Sequence, residues 1–138
     1  MDKLKAIVVD DEVSILEAVK AILQAEGLQI FTTTSSLTAL EQLRNDTFDI
    51  IISDLKMPEM DGLELFDRVK EVSPDSLFIM ITAFATVASA VDAIKRGMYD
   101  YIPKPFTPDE VARARAERVV DLPARRAVLF DAIRASAP

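Results

Sequence analysis

Ile50-Ile51-Ile52-Ser53-Asp54-Leu55-Lys56-Met57-Pro58-Glu59-Met60-Asp61-Gly62 combines three kinds of local structure in one short stretch. Ile50 to Ile52 is β-branched and too short for a helix, so it reads as a buried strand. A polar pair follows, Ser53-Asp54, and Asp61-Gly62 then turns the backbone into a segment whose Phe66 and Val69 share one helical face. The unit is therefore strand, loop, helix, with an aspartate where the strand stops.

Outward from it the same unit repeats. Ala6 to Val9, Leu28 to Phe31, Leu77 to Ile81 and Tyr101 to Ile102 are further short apolar runs, which makes five strands expected. Between them Leu16, Val19 and Leu23 fall on one helical face, as do Leu37 and Leu40, and then Val87, Val91, Ile94 and Met98. Gly27 and Gly97 follow helical patterns, where chain reversal is needed. A last helix opens at Thr107-Pro108-Asp109-Glu110, with Thr107 as cap, Pro108 at the first helical position and Glu110 closing a capping box. It is expected to run to about Asp121, where Leu122-Pro123 stops it; residues 122–138 form a tail with a weak helical pattern through Val128, Leu129 and Ile133. Near-continuously apolar strands alternating with amphipathic helices call for a parallel sheet covered on both faces and joined by right-handed crossovers. The fold class is a doubly wound α/β domain, in which the working site lies at the carboxyl ends of the strands.

Composition narrows the chemistry. The chain has 138 residues, half of them hydrophobic, enough for one ordinary domain, 1–121, and the tail. It contains no cysteine and no histidine, so disulfides, thiolates and imidazoles are excluded. No run of about 18 apolar residues occurs, and the start, Met1 to Lys5, is unlike a leader segment, so a cytoplasmic protein with no membrane partner is expected. The net charge of −7 disfavours direct nucleic-acid binding. Residues 1–106 carry ten Lys plus Arg against eighteen Asp plus Glu, whereas residues 107–138 carry six, all arginine, against five. The tail thus differs in character from the body.

The strand ends bear the chemistry. Asp10-Asp11-Glu12 follows the first strand, Ser53-Asp54 the third, Thr82-Ala83 the fourth and Pro103-Lys104-Pro105 the fifth. Two carboxylates brought about 4 Å apart repel by about 4 kcal/mol at an effective dielectric near 20, so a convergent Asp10, Asp11 and Asp54 need positive charge nearby. Lys104 supplies one unit. The remaining excess of hard oxygen donors fits Mg²⁺, which takes one or two carboxylates, waters and a phosphate oxygen. A cation there keeps Asp54 ionised for attack on phosphorus, with Thr82 and Lys104 as catalytic partners for the phosphoryl oxygens. Each part also has a plainer reading: Asp-Asp as charge on a helix dipole, Asp54 as a turn residue, Thr82 as a satisfied strand end, Tyr101 as a half-buried strand aromatic. The combination of four such types at successive strand ends is what favours a site.

Taken in order, Ile7-Val8-Val9-Asp10-Asp11-Glu12, Asp54 to Gly62, Ile81-Thr82-Ala83 and Tyr101-Ile102-Pro103-Lys104-Pro105-Phe106 resemble the signatures of response-regulator receiver domains of two-component systems, over roughly Leu4 to Val120. The resemblance implies a flavodoxin-like sheet in the order 2-1-3-4-5 with five flanking helices. It further implies phosphorylation at Asp54, and Mg²⁺ held by Asp10 through a water and by Asp11, Asp54 and the Lys56 carbonyl. Lys104 would pair with the phosphoryl group, and Thr82 and Tyr101 would form the switch that repacks the fourth helix, fifth strand and fifth helix. A sensor histidine kinase is the implied phosphodonor, a phosphorylation-dependent homodimer the implied partner state, and the Lys104-Pro105 bond is expected to be cis. Small Ala83 leaves the site reachable, and Lys56 and Phe84 stand where relatives tune hydrolysis.

Residues 85–101 look most like the receivers of NtrC-type, sigma54-dependent transcriptional activators, so transcription regulation is the implied role. The chain itself lacks a Gly-x-x-x-x-Gly-Lys loop and an evident helix-turn-helix, so ATPase and DNA-binding activity are not expected in it. Two other classes compete: a Mg²⁺-dependent aspartyl phosphohydrolase, disfavoured because no connection is long enough for a substrate-reading cap, and an interaction module with vestigial phosphorylation.

Overall fold

The computed structural model describes residues 4–25, 27–83 and 86–104. The expected helix from Thr107 to Asp121, the tail, Phe84 and the Lys104-Pro105 bond lie outside them. Among the described residues, five strands alternate with four helices in the order β1 (Lys5–Val9), α1 (Val13–Gln24), β2 (Gln29–Thr33), α2 (Ser36–Asn45), β3 (Ile50–Ser53), α3 (Gly62–Val72), β4 (Leu77–Thr82), α4 (Val87–Lys95) and β5 (Asp100–Pro103). The strands form one parallel sheet in the order β2-β1-β3-β4-β5, as the resemblance implies.

Residue parity explains why the inner strands are apolar apart from the polar residues at their ends, Lys5, Ser53 and Thr82. Ile7, Val9, Ile51, Phe78 and Met80 face one side and pack with Ala39, Leu40, Leu43, Leu65, Phe66, Val69 and Ala93 from α2, α3 and α4. Ala6, Val8, Ile50, Ile52, Ile79 and Ile81 face the other, where α1 brings Leu16, Val19 and Leu23. With both faces covered, no position in these strands is left for an outward polar residue.

Two helical faces differ from expectation. Leu37 is 47% exposed, and α2 instead buries Ser36, Ala39, Leu40 and Leu43. Leu37 stands about 100° around the helix from Ser36, off that stripe. The Ser36 hydroxyl is satisfied by donating to the Met60 carbonyl at 2.8 Å, which removes the cost of burying it. In α4, Val87 is 84% and Val91 48% exposed, whereas Ala93 is buried and Ala90 packs against the core. Small residues let this helix lie close to the sheet, and its larger aliphatic side chains face outward. The second strand also runs two residues later than the apolar run suggested, through Thr32 and Thr33.

Candidate functional site

Sheet hydrogen bonding continues past the strand ends and fixes the polar residues there. The Asp54 N–H donates to the Val9 carbonyl at 2.9 Å, the Asp10 N–H to the Thr33 carbonyl at 3.3 Å, and the Lys104 N–H to the Thr82 carbonyl at 2.9 Å. Asp10, Asp54 and Thr82 are buried at 1%, 5% and 0% exposure, so each is held on rigid backbone with little water of its own.

Lys104 joins the strand ends electrostatically. Its Nζ lies 2.8 Å from Asp10 Oδ2, 3.4 Å from Asp54 Oδ2 and 3.7 Å from Glu12 Oε1. The second oxygens of the two aspartates are tied to backbone: Asp10 Oδ1 accepts from the Glu12 N–H at 2.9 Å and Asp54 Oδ1 from the Leu55 N–H at 2.8 Å. Burial pushes the Asp10 carboxyl above its ordinary value; the hydrogen bonds from Lys104 and Glu12 N–H oppose this, and the Asp54 charge adds to it. For Lys104, burial would pull the ammonium down, but the bond to Asp10 and the charges of Asp10, Asp54 and Glu12 outweigh it and raise the group. Burial therefore decides the direction at Asp10, whereas at Lys104 the pairing with several carboxylates overcomes it.

The carboxylates of Asp10, Asp11 and Glu12 have ligand oxygens all within 4.8 Å of one another. This all-oxygen donor set, with an excess of negative charge beside it, fits a hard divalent cation. Glu12 belongs to the cluster although the expected ligands are Asp10, Asp11, Asp54 and the Lys56 carbonyl. It occupies the cap position of α1 without making a side-chain capping bond, which leaves its carboxylate available at the site. Asp54 joins through Lys104, not as a member of the three-carboxylate group. Lys56 lies exposed in the loop after Asp54.

That loop is held from beneath. The Asp61 side chain caps α3 by accepting from the Glu64 N–H at 2.9 Å, and the Gly62 N–H donates to the Leu55 carbonyl at 2.8 Å. A Cβ on Gly62 would collide with the Asp54 carbonyl oxygen and lie 2.8 Å from Met80 Sδ. The close approach requires glycine, a reason the turn reading of Asp61-Gly62 did not contain.

Tyr101 lies at the other side of the site on β5, 9% exposed, with its hydroxyl 3.1 Å from Ser89 Oγ at the start of α4. Ser89 was not singled out in the sequence; its only local signal is a hydroxyl three residues after Thr86, the spacing of a cap. A cavity of about 470 Å³ at the opposite end of the sheet is lined by Phe66, Lys70, Pro74, Phe78, Arg96 and Tyr99 among others, and by none of the residues at the strand ends above.

The pattern described as the response regulator receiver domain matches residues 6–116. The chain is 40% identical over 113 residues to the DNA-binding transcriptional regulator NtrC of Escherichia coli (strain K12), covering 82% of this chain and 24% of that protein. It is 33% identical over 116 residues to the transcriptional regulatory protein ZraR of Klebsiella oxytoca, covering 84% of this chain and 26% of that one. The chain thus spans about a quarter of the length of these curated relatives. Among solved structures, the beryllofluoride-activated NtrC4 receiver domain dimer matches with a TM-score of 0.74 at 34% identity, over 96% of this chain and 98% of that one. A CheY-like receiver domain protein from Methanospirillum hungatei JF-1 matches with a TM-score of 0.77 at 25% identity, over 99% and 100%.

Proposed function

The chain belongs to the response regulator receiver domain family of two-component systems, a signalling family rather than one of metabolic enzymes, and from that premise we propose that it is a phosphoacceptor switch modified on Asp54. The observation that carries the reading is the Asp54 carboxylate held at a strand end, 3.4 Å from the Lys104 ammonium and beside a cluster of three further carboxylates. An Asp54 oxygen attacks the phosphorus of a phosphohistidine on a sensor kinase; the P–N bond breaks, and its electron pair leaves with the imidazole, which takes up a proton. These 138 residues contain no histidine, so the phosphohistidine donor lies outside them.

Lys104 stabilises the phosphoryl oxygens once the group is on Asp54, and the buried Thr82 offers its hydroxyl to them. Asp10, Asp11, Glu12, Asp54 and the Lys56 carbonyl are the groups that would hold Mg²⁺. When bound, the ion neutralises charge that accumulates on the transferring group. Transfer of Asp54 to the phosphorylated state is read by Thr82 and Tyr101, and a few kcal/mol of differential binding suffices to shift a two-state balance. The exposed Val87 and Val91 on α4 are suited to a second copy of the chain, and transcription regulation through an output domain is the role the relatives support.

The test is intact mass after incubation with a small-molecule phosphodonor, with and without Mg²⁺. One phosphoryl adduct that needs Mg²⁺ and is lost in Asp54→Asn is the expected result. An adduct that persists in Asp54→Asn, or turnover of a phosphoester without any adduct, overturns it.

A further inference from the structure

The start of α4 is closed by a reciprocal cap. Thr86 Oγ1 accepts from the Ser89 N–H at 3.0 Å, and Ser89 Oγ accepts from the Thr86 N–H at 3.0 Å. Ser89 Oγ also lies 2.9 Å from Thr86 Oγ1, 3.1 Å from the Thr86 carbonyl oxygen and 3.1 Å from the Tyr101 hydroxyl. Its oxygen therefore has four polar partners within reach. A serine hydroxyl carries one donor proton and two acceptor lone pairs, so it satisfies three at a time. The Thr86 N–H needs its acceptor, since no proton can be redirected from a backbone amide. What is exchangeable is the pair of hydroxyls, Thr86 and Tyr101, of which the first is exposed and can turn to water. The second sits on a ring that is 9% exposed and has less access to water.

We propose that Ser89 is a positioning residue for Tyr101: its hydroxyl latches the ring hydroxyl against the first turn of α4 and in doing so frees the Thr86 hydroxyl proton to turn to water, while Thr86 Oγ1 goes on accepting from the Ser89 N–H. The inference rests on the reading of Tyr101 as the reporting element of the switch and adds the group that holds it. Ring orientation is thereby tied to the start of α4, because Ser89 Oγ both accepts from the Thr86 N–H and reaches the ring hydroxyl. A valine or alanine at position 89 would leave the cap with one bond fewer and remove the bond between Ser89 and the ring hydroxyl.

The chain has two tyrosines and no tryptophan, so a Tyr99→Phe background makes Tyr101 the only fluorophore of its kind. In that background, quenching of tyrosine emission by acrylamide measures how far the ring is exposed. Ser89→Ala is expected to raise the quenching constant about twofold by shifting the ring population outward, and Ser89→Thr to restore it. Thr86→Ala, which breaks the cap but spares the latch, is expected to leave quenching at or below the parent value. Equal quenching in Ser89→Ala and the parent overturns the proposal, as does an equal rise in Thr86→Ala and Ser89→Ala or a Ser89→Thr variant that fails to restore it. Intact mass with phosphodonor on the same variants separates the two ideas. An Asp54 adduct with unmoved Tyr101 sinks the latch alone; raised quenching in Ser89→Ala without any adduct sinks the phosphoacceptor reading alone.

Discussion

Lys104 answers to three carboxylates and Asp10 to one shared cation, and that asymmetry has a measurable sign. The Asp10 carboxyl is raised by burial, so its protonated form is the one the fold favours. Its contribution to stability is therefore fully present below the unfolded value of about 3.9 and is lost as pH rises through the folded value. Asp10→Asn is expected to raise Tm at pH 7 in Mg²⁺-free buffer and to lose that advantage near pH 3.5, measured by thermal unfolding across pH; a lower Tm at pH 7 would contradict it. Lys104 follows the same sign in a different window: raised above its ordinary value, it keeps its stabilising pairing throughout the neutral range and loses it only in strong alkali. At Gly62, a methyl would meet the Asp54 carbonyl and Met80, and overpacking of that kind costs about 1–3 kcal/mol. Urea denaturation of Gly62→Ala should show a loss of that size, and an unchanged midpoint would mean the contact is soft. The residue types at the strand ends were legible because carboxylate, hydroxyl and lysine each stand immediately after an apolar run. Glu12 was legible as part of the acidic run but not as a member of the ligand cluster, and Ser89 was not legible at all, because only tertiary contacts show where their side chains reach.

At the scale of elements, α4 is where pattern and packing part company. Val87, Val91 and Ile94 recur at helical spacing, so periodicity assigns them to the core, but the helix rests on Ala90 and Ala93 and leaves Val87 and Val91 outside. Hydropathy alone cannot distinguish a stripe that meets the sheet from one that meets another molecule. α1 had no such ambiguity: its single stripe of Leu16, Val19 and Leu23 is the one buried. If the outer face of α4 receives a second copy, sedimentation of the phosphorylated chain should give about twice the monomer mass, and Val87→Lys/Val91→Lys should remain monomeric, because two buried unpaired charges oppose the contact. Equal association of the variant would place the interface elsewhere. The loop between β3 and α3 shows a second element-scale feature, Glu59 at φ 70°, a left-handed conformation that is uncommon outside glycine and asparagine and that keeps the loop short enough to return at Asp61.

For the molecule as a whole, alternation of short apolar runs with helical stripes sufficed to specify a parallel, two-faced sheet, because only that arrangement leaves no polar face on the strands. Strand order was a different matter: local pattern does not encode which strands are neighbours, and the order 2-1-3-4-5 came from resemblance. A metal at the acidic end of such a sheet stabilises the folded chain by mass action. At a concentration about tenfold above Kd, Mg²⁺ should add about 1.4 kcal/mol, seen as a rise in Tm that Asp11→Ala abolishes. A rise that survives in Asp11→Ala would remove that residue from the ligand set. The contact between Gly62 and the Asp54 carbonyl reaches beyond this one chain. It joins the freedom of two positions in descent: while the Asp54 backbone keeps its place, any side chain at position 62 must push against it. If Asp54 is the acceptor, a side chain gained at position 62 pushes on the backbone that holds it, so drift at that single site would be an early sign of a lineage in which the switch has weakened.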